Sequence, residues 1–128
     1  MGVAVPLAAG VAMASDVPVL AVVGDAGFDM TAGELASLRD LGRQLTIVVP
    51  ADESLALIEK KQAMMQLPGH GVQFTATDIA AVARAYGGKG YDVTNRNELK
   101  TALTESWNNN CFSVISCKVD KKSYSDAF

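Results

Sequence analysis

Residues 17–34 read VPVLAVVGDAGFDMTAGE, and this stretch decides the fold of the chain. Its first seven residues are almost continuously aliphatic, which is typical of a strand covered on both faces in a parallel sheet. The strand closes on the turn GDAG (residues 24–27), whose small residues let a ligand approach the backbone closely. Thr31 and Glu34 then have the capping-box spacing that opens a helix. The stretch therefore predicts a strand, a compact polar turn and a helix.

The same unit recurs along the chain. Residues 4–14 are apolar nearly all round, which predicts a buried helix. Apolar faces and capping boxes predict further helices at residues 31–41, 54–65, 77–86 and 95–107. Apolar runs predict strands at residues 17–23, 45–49 and 112–119, and a short strand is predicted near residues 91–93. Alternation of this kind predicts a three-layer α/β domain, a parallel sheet with helices on both faces and right-handed crossovers. Because ligands bind beyond the carboxyl ends of such strands, Asp25 and Asp52, which follow two of them, indicate the site.

Length and composition allow one domain and exclude several functions. We assign residues 1–120 to that domain and residues 121–128 to a polar C-terminal tail. A hydrophobic fraction of 49% suits a sheet buried on both faces or a surface that a partner covers. The net charge of -3 and the scattered Lys and Arg residues argue against nucleic-acid binding. No apolar run reaches the roughly 18 residues that a membrane span needs.

The apolar N-terminal stretch, residues 1–14, has two interpretations. Its end, Ala12-Met13-Ala14, resembles a signal-peptidase site, but no positive charge precedes the apolar stretch, so we favour a buried helix. Cys111 and Cys117 lie in one predicted strand, roughly 20 Å apart at about 3.3 Å per residue, which is too far for a disulfide. We therefore expect a cytoplasmic protein.

Taken alone, the GDAG turn allows more than one function. Its peptide N–H groups could hold an anion, but the carboxylate of Asp25 would repel a phosphate unless a cation lay between them. Asp25 therefore makes best sense as a ligand of Mg²⁺, with Asp52 as a second carboxylate. A structural role, in which Asp25 only caps a turn or a helix, remains open, and a receiver-like or nucleotide-binding domain fits almost as well.

The wider context resembles the thiamine diphosphate signature. In that family Gly-Asp-Gly or Gly-Asp-Ala is followed, after just under thirty residues, by Asn-Asn; here GDAGFDMTAGE (residues 24–34) precedes an acid 27 residues after Asp25. MGVAVP (residues 1–6) is similar to the family segment before the motif, and SLALIEKKQ (residues 54–62) to the helix after it. The chain resembles the C-terminal diphosphate-binding (PP) domain of the acetolactate synthase and benzoylformate decarboxylase-like branch.

This resemblance implies thiamine diphosphate and Mg²⁺ as cofactors. Asp25 and Asp52 would be Mg²⁺ ligands, and Ser54 would bind the metal through its backbone carbonyl. Asp52 stands at the second Asn of the family pair and Ala51 at the first, so the side-chain contacts of that first Asn are lost. The implied cofactor-binding residues are Met1, at the position of the apolar wedge, Gly24, Asp25, Ala26, Gly27, Asp52, Ser54, Leu55 and Ala56. No catalytic residue is predicted in this chain.

The resemblance also implies what the chain lacks. Family members are several times longer, and their activating glutamate lies on a pyrimidine-binding domain, which has no counterpart in this sequence. We therefore expect an N-terminally truncated module of a lyase or carboligase that acts on 2-keto acids, inactive by itself. Its partner would be a pyrimidine-binding domain on another chain or in a missing N-terminal region. Because the usual neighbouring domains are absent, we also expect a homo-oligomer. The alternatives are a non-catalytic remnant or binding module, and the small subunit of a split enzyme.

Overall fold

The computed structural model describes residues 1–120. Its strands are β1 (Leu20–Val22), β2 (Thr46–Ala51), β3 (Lys89–Val93) and β4 (Ser113–Lys118). Its helices are α1 (Ala4–Ala14), α2 (Asp25–Asp29), α3 (Glu34–Leu41), α4 (Ala56–Met64), α5 (Ile79–Ala85) and α6 (Arg96–Trp107). The strands form one parallel sheet in the order β1-β2-β4-β3, which confirms the predicted α/β class. The predicted tail at residues 121–128 lies outside the described residues.

The sheet separates two apolar cores. Successive side chains of a strand point to opposite faces, so Val114 packs into the larger core and Ile115 into the smaller one. The larger core joins the sheet to α1, α2, α3 and α5, and the smaller core joins it to α6. Helices therefore cover both faces, as the three-layer prediction requires.

Strand β1 departs from its predicted burial. The sequence predicted a strand covered on both faces, but β1 is an edge strand in which only Ala21 is buried. Leu20 and Val22 point to the opposite face and are 46% and 60% exposed. The helix of that face, α6, packs against β3, β4 and β2. The aliphatic run thus correctly predicted a strand but wrongly predicted that both faces of the strand are buried.

The two predicted capping boxes have different outcomes. The box at Thr31 and Glu34 is wrong. Residues 25–29 form α2, and Thr31 follows the end of that helix, so the Thr31 hydroxyl donates back to the carbonyl of Gly27 at 3.1 Å. Helix α3 has no side-chain cap at its N-terminus. The second is confirmed, since Asn95 accepts from the N–H groups of Asn97 and Glu98. Glu98 accepts in turn from the N–H of Thr94, and this bond lowers the pKa of its carboxyl.

The predicted N-terminal helix is confirmed as α1, but its predicted burial is only partly right. Val5 and Ala12 lie on a buried face, whereas Leu7 and Val11 are exposed. Among residues 1–120, no helix is long and apolar enough to cross a membrane. Both cysteines are free, and burial raises the pKa of the Cys117 thiol, which disfavours its reactive thiolate form.

Close contact between α5 and β3 depends on Gly90. A Cβ atom built at this position would overlap the backbone carbonyl of Ala80, so any side chain would push α5 away from the sheet. By contrast, Gly10 lies on the exposed side of α1, and a Cβ atom there meets nothing within 4 Å.

We therefore expect Gly90→Ala to lower the free energy of unfolding by about 2–3 kcal/mol, because the helix must move to relieve the overlap. The matched control, Gly10→Ala, should raise it by up to about 1 kcal/mol, since alanine favours an exposed helix interior. Urea denaturation followed by circular dichroism measures both. Equal stability of the two variants would contradict the α5–β3 contact.

Candidate functional site

The predicted site lies where two neighbouring strands end. Strands β1 and β2 pair in parallel with Val22 opposite Val48, so the turns that follow them leave the same edge of the sheet. The N–H of Val23 donates to the carbonyl of Val48 at 3.1 Å and continues the pairing up to that edge. The GDAG turn and the turn after β2 therefore meet.

The carboxylate of Asp25 joins these two turns. Its Oδ2 accepts hydrogen bonds from the N–H of Asp52 at 3.0 Å and of Glu53 at 2.8 Å. Its Oδ1 accepts from the N–H of Ala26 at 2.8 Å. Asp25 is only 7% exposed, so these donors replace the water that a carboxylate would otherwise bind. The sequence left a structural role for Asp25 open, and the structure shows one.

Glu53 is part of this arrangement, although the sequence analysis did not single it out. Its φ of 60° lies in the left-handed region, which costs a residue with a Cβ atom about 1–3 kcal/mol. In this conformation its N–H points at Asp25, and the hydrogen bond offsets the strain. A weak signal was present in the sequence, because the turn follows Pro50 at the end of an aliphatic strand.

The two glycines of the GDAG turn serve different purposes. A Cβ atom at Gly24 would meet nothing within 4 Å, so this glycine leaves open space beside the strand end. At Gly27 a Cβ atom would lie 3.0 Å from Cγ2 of Val23, so this glycine lets α2 pack closely on the end of β1. Gly24 is open, as predicted, whereas Gly27 is largely buried but still lines the cavity described next.

A cavity of about 580 Å³ opens above the two turns. It is lined by all nine predicted cofactor-binding residues: Met1, Gly24, Asp25, Ala26, Gly27, Asp52, Ser54, Leu55 and Ala56. Five apolar residues that the sequence did not indicate complete the lining: Val23, Pro50, Leu57, Ile58 and Val119. Ala51 instead lines a neighbouring cavity of about 170 Å³. Adjacent residues of the β2 end thus face different spaces.

The turn after β2 is held by local hydrogen bonds at Asp52 and Ser54. Oδ1 of Asp52 accepts from the N–H of Ser54 at 2.9 Å, which fixes the turn before α4. Ser54 also lies opposite Gln73 in a two-residue bridge, but its neighbours make the bridging hydrogen bonds: the N–H of Leu55 donates and the carbonyl of Glu53 accepts. The bridge therefore leaves the carbonyl of Ser54 unused, as the predicted metal contact requires.

Within the described chain, no group of three or more His, Cys, Asp or Glu side chains could hold a metal ion by itself. The cavity offers two carboxylates, from Asp25 and Asp52, and one predicted backbone carbonyl. Such a set suits a hard cation that takes its remaining oxygen ligands from water or from a phosphate, which is how Mg²⁺ is usually bound.

Residues 1–117 match the family model for the thiamine pyrophosphate enzyme, C-terminal TPP binding domain. YdaP of Bacillus subtilis (strain 168), named as a thiamine pyrophosphate-containing protein, is 32% identical over 68% of this chain. A 3D-(3,5/4)-trihydroxycyclohexane-1,2-dione hydrolase of Lacticaseibacillus casei is 27% identical over 100% of it. Benzoylformate decarboxylase from Polynucleobacter necessarius superposes on 91% of the chain with a TM-score of 0.86 and 27% identity.

The matched region is a small part of each of these proteins. The chain spans 15% of YdaP and 21% of the hydrolase. It spans 23% of the benzoylformate decarboxylase chain. These proteins therefore consist mostly of sequence that this chain does not match.

We expect Asp25→Ala to lower the free energy of unfolding by about 2–4 kcal/mol, because it leaves three N–H groups without their carboxylate acceptor. The control is Asp16→Ala, which removes an exposed acid paired with Arg43 and should change stability by no more than about 0.5 kcal/mol. Chemical denaturation measures both. A loss for Asp25→Ala as small as that of the control would contradict the bridging role.

Proposed function

Because the chain belongs to the thiamine pyrophosphate enzyme family, as its C-terminal TPP binding domain, we propose that it holds the diphosphate of this cofactor through Mg²⁺. Thiamine pyrophosphate and thiamine diphosphate are two names of this one cofactor. One observation carries the proposal: the GDAG turn and the two acids, Asp25 and Asp52, line a single cavity at the carboxyl edge of a parallel sheet.

The residues present fit such a ligand. The open space beside Gly24 gives a bulky anion access to the turn. Ser54 has a buried hydroxyl without a hydrogen-bond partner among the described residues, as expected of a group that a ligand completes. The carboxylate and carbonyl oxygens match the preference of Mg²⁺. The chemistry of the lining therefore supports the proposed pair of metal and diphosphate.

Each part of the lining has a distinct task in this proposal. Asp25 and Asp52 supply carboxylate oxygens to the metal, and Ser54 supplies its carbonyl. The apolar side chains, including Met1, Leu55 and Ile58, exclude water and pack against the organic part of the cofactor. When bound, thiamine diphosphate supplies the carbanion nucleophile and the electron sink that C–C bond chemistry requires.

Asp52 makes this site more negative than an amide at the same position would. Two carboxylates and a diphosphate repel one another unless the cation lies among them, so binding of the cofactor should depend strongly on Mg²⁺. The negative charge of Asp52 is not needed to bind the metal, because the amide oxygen of an Asn at this position could also be a ligand for Mg²⁺.

We propose for the whole protein a lyase or carboligase that acts on 2-keto acids. The structural likeness to benzoylformate decarboxylase supports this class. A pyrimidine-binding domain, from another chain or from elsewhere in the same protein, would complete the site. A surface for such a partner is available, since Leu7 and Val11 on α1, with Val3 just before the helix, are exposed apolar residues.

A second candidate is a binding module without catalytic activity. The observation in its favour is Ala51, which has no polar side chain at the first position of the family's Asn pair. The two candidates share the cofactor site and differ in whether an activating partner completes it.

The proposal predicts that isothermal titration calorimetry of the chain detects thiamine diphosphate with Mg²⁺ and that EDTA abolishes the signal. Asp52→Ala should weaken binding about tenfold or more, because it removes a charged metal ligand. Asp52→Asn, which keeps an oxygen ligand and removes a charge, should bind at least as tightly as the wild type.

The matched control is Asp92→Ala, which removes an exposed acid from the neighbouring cavity and should leave the affinity unchanged. Binding that persists without Mg²⁺, or that Asp52→Ala does not weaken, would show that the metal assignment is wrong. A folded chain that gives no heat, alone or with a pyrimidine-binding partner, would overturn the cofactor proposal as a whole.

A further inference from the structure

Ser54 carries a hydroxyl whose environment the metal site does not explain. The residue is 6% exposed and lines the cavity, yet its Oγ has no hydrogen-bond partner among residues 1–120. Buried hydroxyls in folded proteins nearly always have a partner, and an unpartnered one costs about 1–3 kcal/mol. The free chain therefore has an unsatisfied polar group in its cavity wall.

The backbone around this hydroxyl is well held. The N–H of Ser54 donates to Asp52, and the residues on either side form the bridge to Val72 and Phe74. The hydroxyl can therefore change direction only by rotation about its own side-chain torsion. The fixed backbone therefore keeps the hydroxyl at the cavity wall before a ligand binds, which lowers the entropic cost of a contact with it.

The other buried polar atom without a partner among the described residues differs in kind. It is Oε1 of Gln62, on α4, whose amide nitrogen donates to the carbonyl of His70. This oxygen can only accept, and Gln62 does not line the cavity above the GDAG turn. Ser54 thus combines an unpartnered donor with a place in the cavity wall.

We infer that the hydroxyl of Ser54 is a positioning donor to the diphosphate, in addition to the carbonyl contact of the same residue with the metal. This inference rests on the proposed function, since it needs a diphosphate in this cavity. A cation could use only the lone pairs of the hydroxyl and would leave its O–H without an acceptor. A phosphate oxygen accepts the O–H and forms the stronger, charge-assisted hydrogen bond.

The test compares Ser54→Ala with Ser54→Thr in the full chain, by thermal denaturation without ligand and by calorimetry with ligand. Ser54→Ala should raise the Tm of the free chain by about 2–4 °C, because it removes the unpartnered hydroxyl. It should weaken the binding of thiamine diphosphate with Mg²⁺ about tenfold. Ser54→Thr, which keeps the hydroxyl, should bind within about threefold of the wild type.

A third arm locates the contact. Inorganic pyrophosphate with Mg²⁺ has no thiamine part, so Ser54→Ala should weaken its binding by the same factor. An unchanged pyrophosphate affinity beside a weakened cofactor affinity would place the contact elsewhere on the cofactor and overturn the inference.

The remaining outcomes separate this inference from the proposed function. If the wild type binds the cofactor and Ser54→Ala binds it equally well, the inference fails and the function stands. If Ser54→Ala lowers the Tm or prevents folding, the hydroxyl has a structural partner in the free chain and the inference also fails. If the folded wild type binds neither ligand, both fail together.

Discussion

The carboxylate of Asp25 is the interaction on which the rest of the site depends. It is buried at the end of β1 and accepts hydrogen bonds from the backbone of Asp52 and Glu53, which follow β2. Neighbouring parallel strands bring their carboxyl ends to one edge of a sheet, but they do not fix the turns that follow. Asp25 fixes them, and it does so strongly enough to hold Glu53 in the left-handed region.

This structural task and the proposed chemical task use the same group. Each carboxylate oxygen can accept more than one hydrogen bond or metal contact, so three N–H donors do not exhaust Asp25. The donors also keep the carboxylate in one orientation before any metal arrives, which reduces the cost of binding. Asp52 is prepared in a similar way, since its Oδ1 accepts the N–H of Ser54. In this account the turns are arranged in the free chain, and the ligand completes them at the hydroxyl of Ser54.

Much of this arrangement could be predicted from the sequence. Aliphatic runs located β1, β2 and β4, although two of the three side chains of β1 are exposed. The order of strands and helices predicted the parallel sheet. The resemblance to the thiamine diphosphate signature supplied residues that the structure brings together in one cavity, from Met1 to Ala56. The family match over residues 1–117 confirms that resemblance.

What could not be predicted depends on contacts distant in sequence or on the exact backbone path. The hydrogen bonds from Asp52 and Glu53 to Asp25 join residues separated by 27 and 28 positions, and no local pattern encodes them. Helix α2 was missed because five residues are too few for a periodic signal, and this changed the role of Thr31. Val119 reaches the cavity from the end of the last strand, which only the strand order reveals.

The central claim is that Asp25 both joins the two turns and binds the metal that holds the diphosphate. A crystal structure of the chain with thiamine diphosphate and Mn²⁺, with data collected at the manganese absorption edge, tests it most directly. The account predicts an anomalous peak within coordination distance of the carboxylates of Asp25 and Asp52, with the N–H groups of Asp52 and Glu53 still directed at Asp25. A peak elsewhere, or a diphosphate bound away from Gly24, would contradict it.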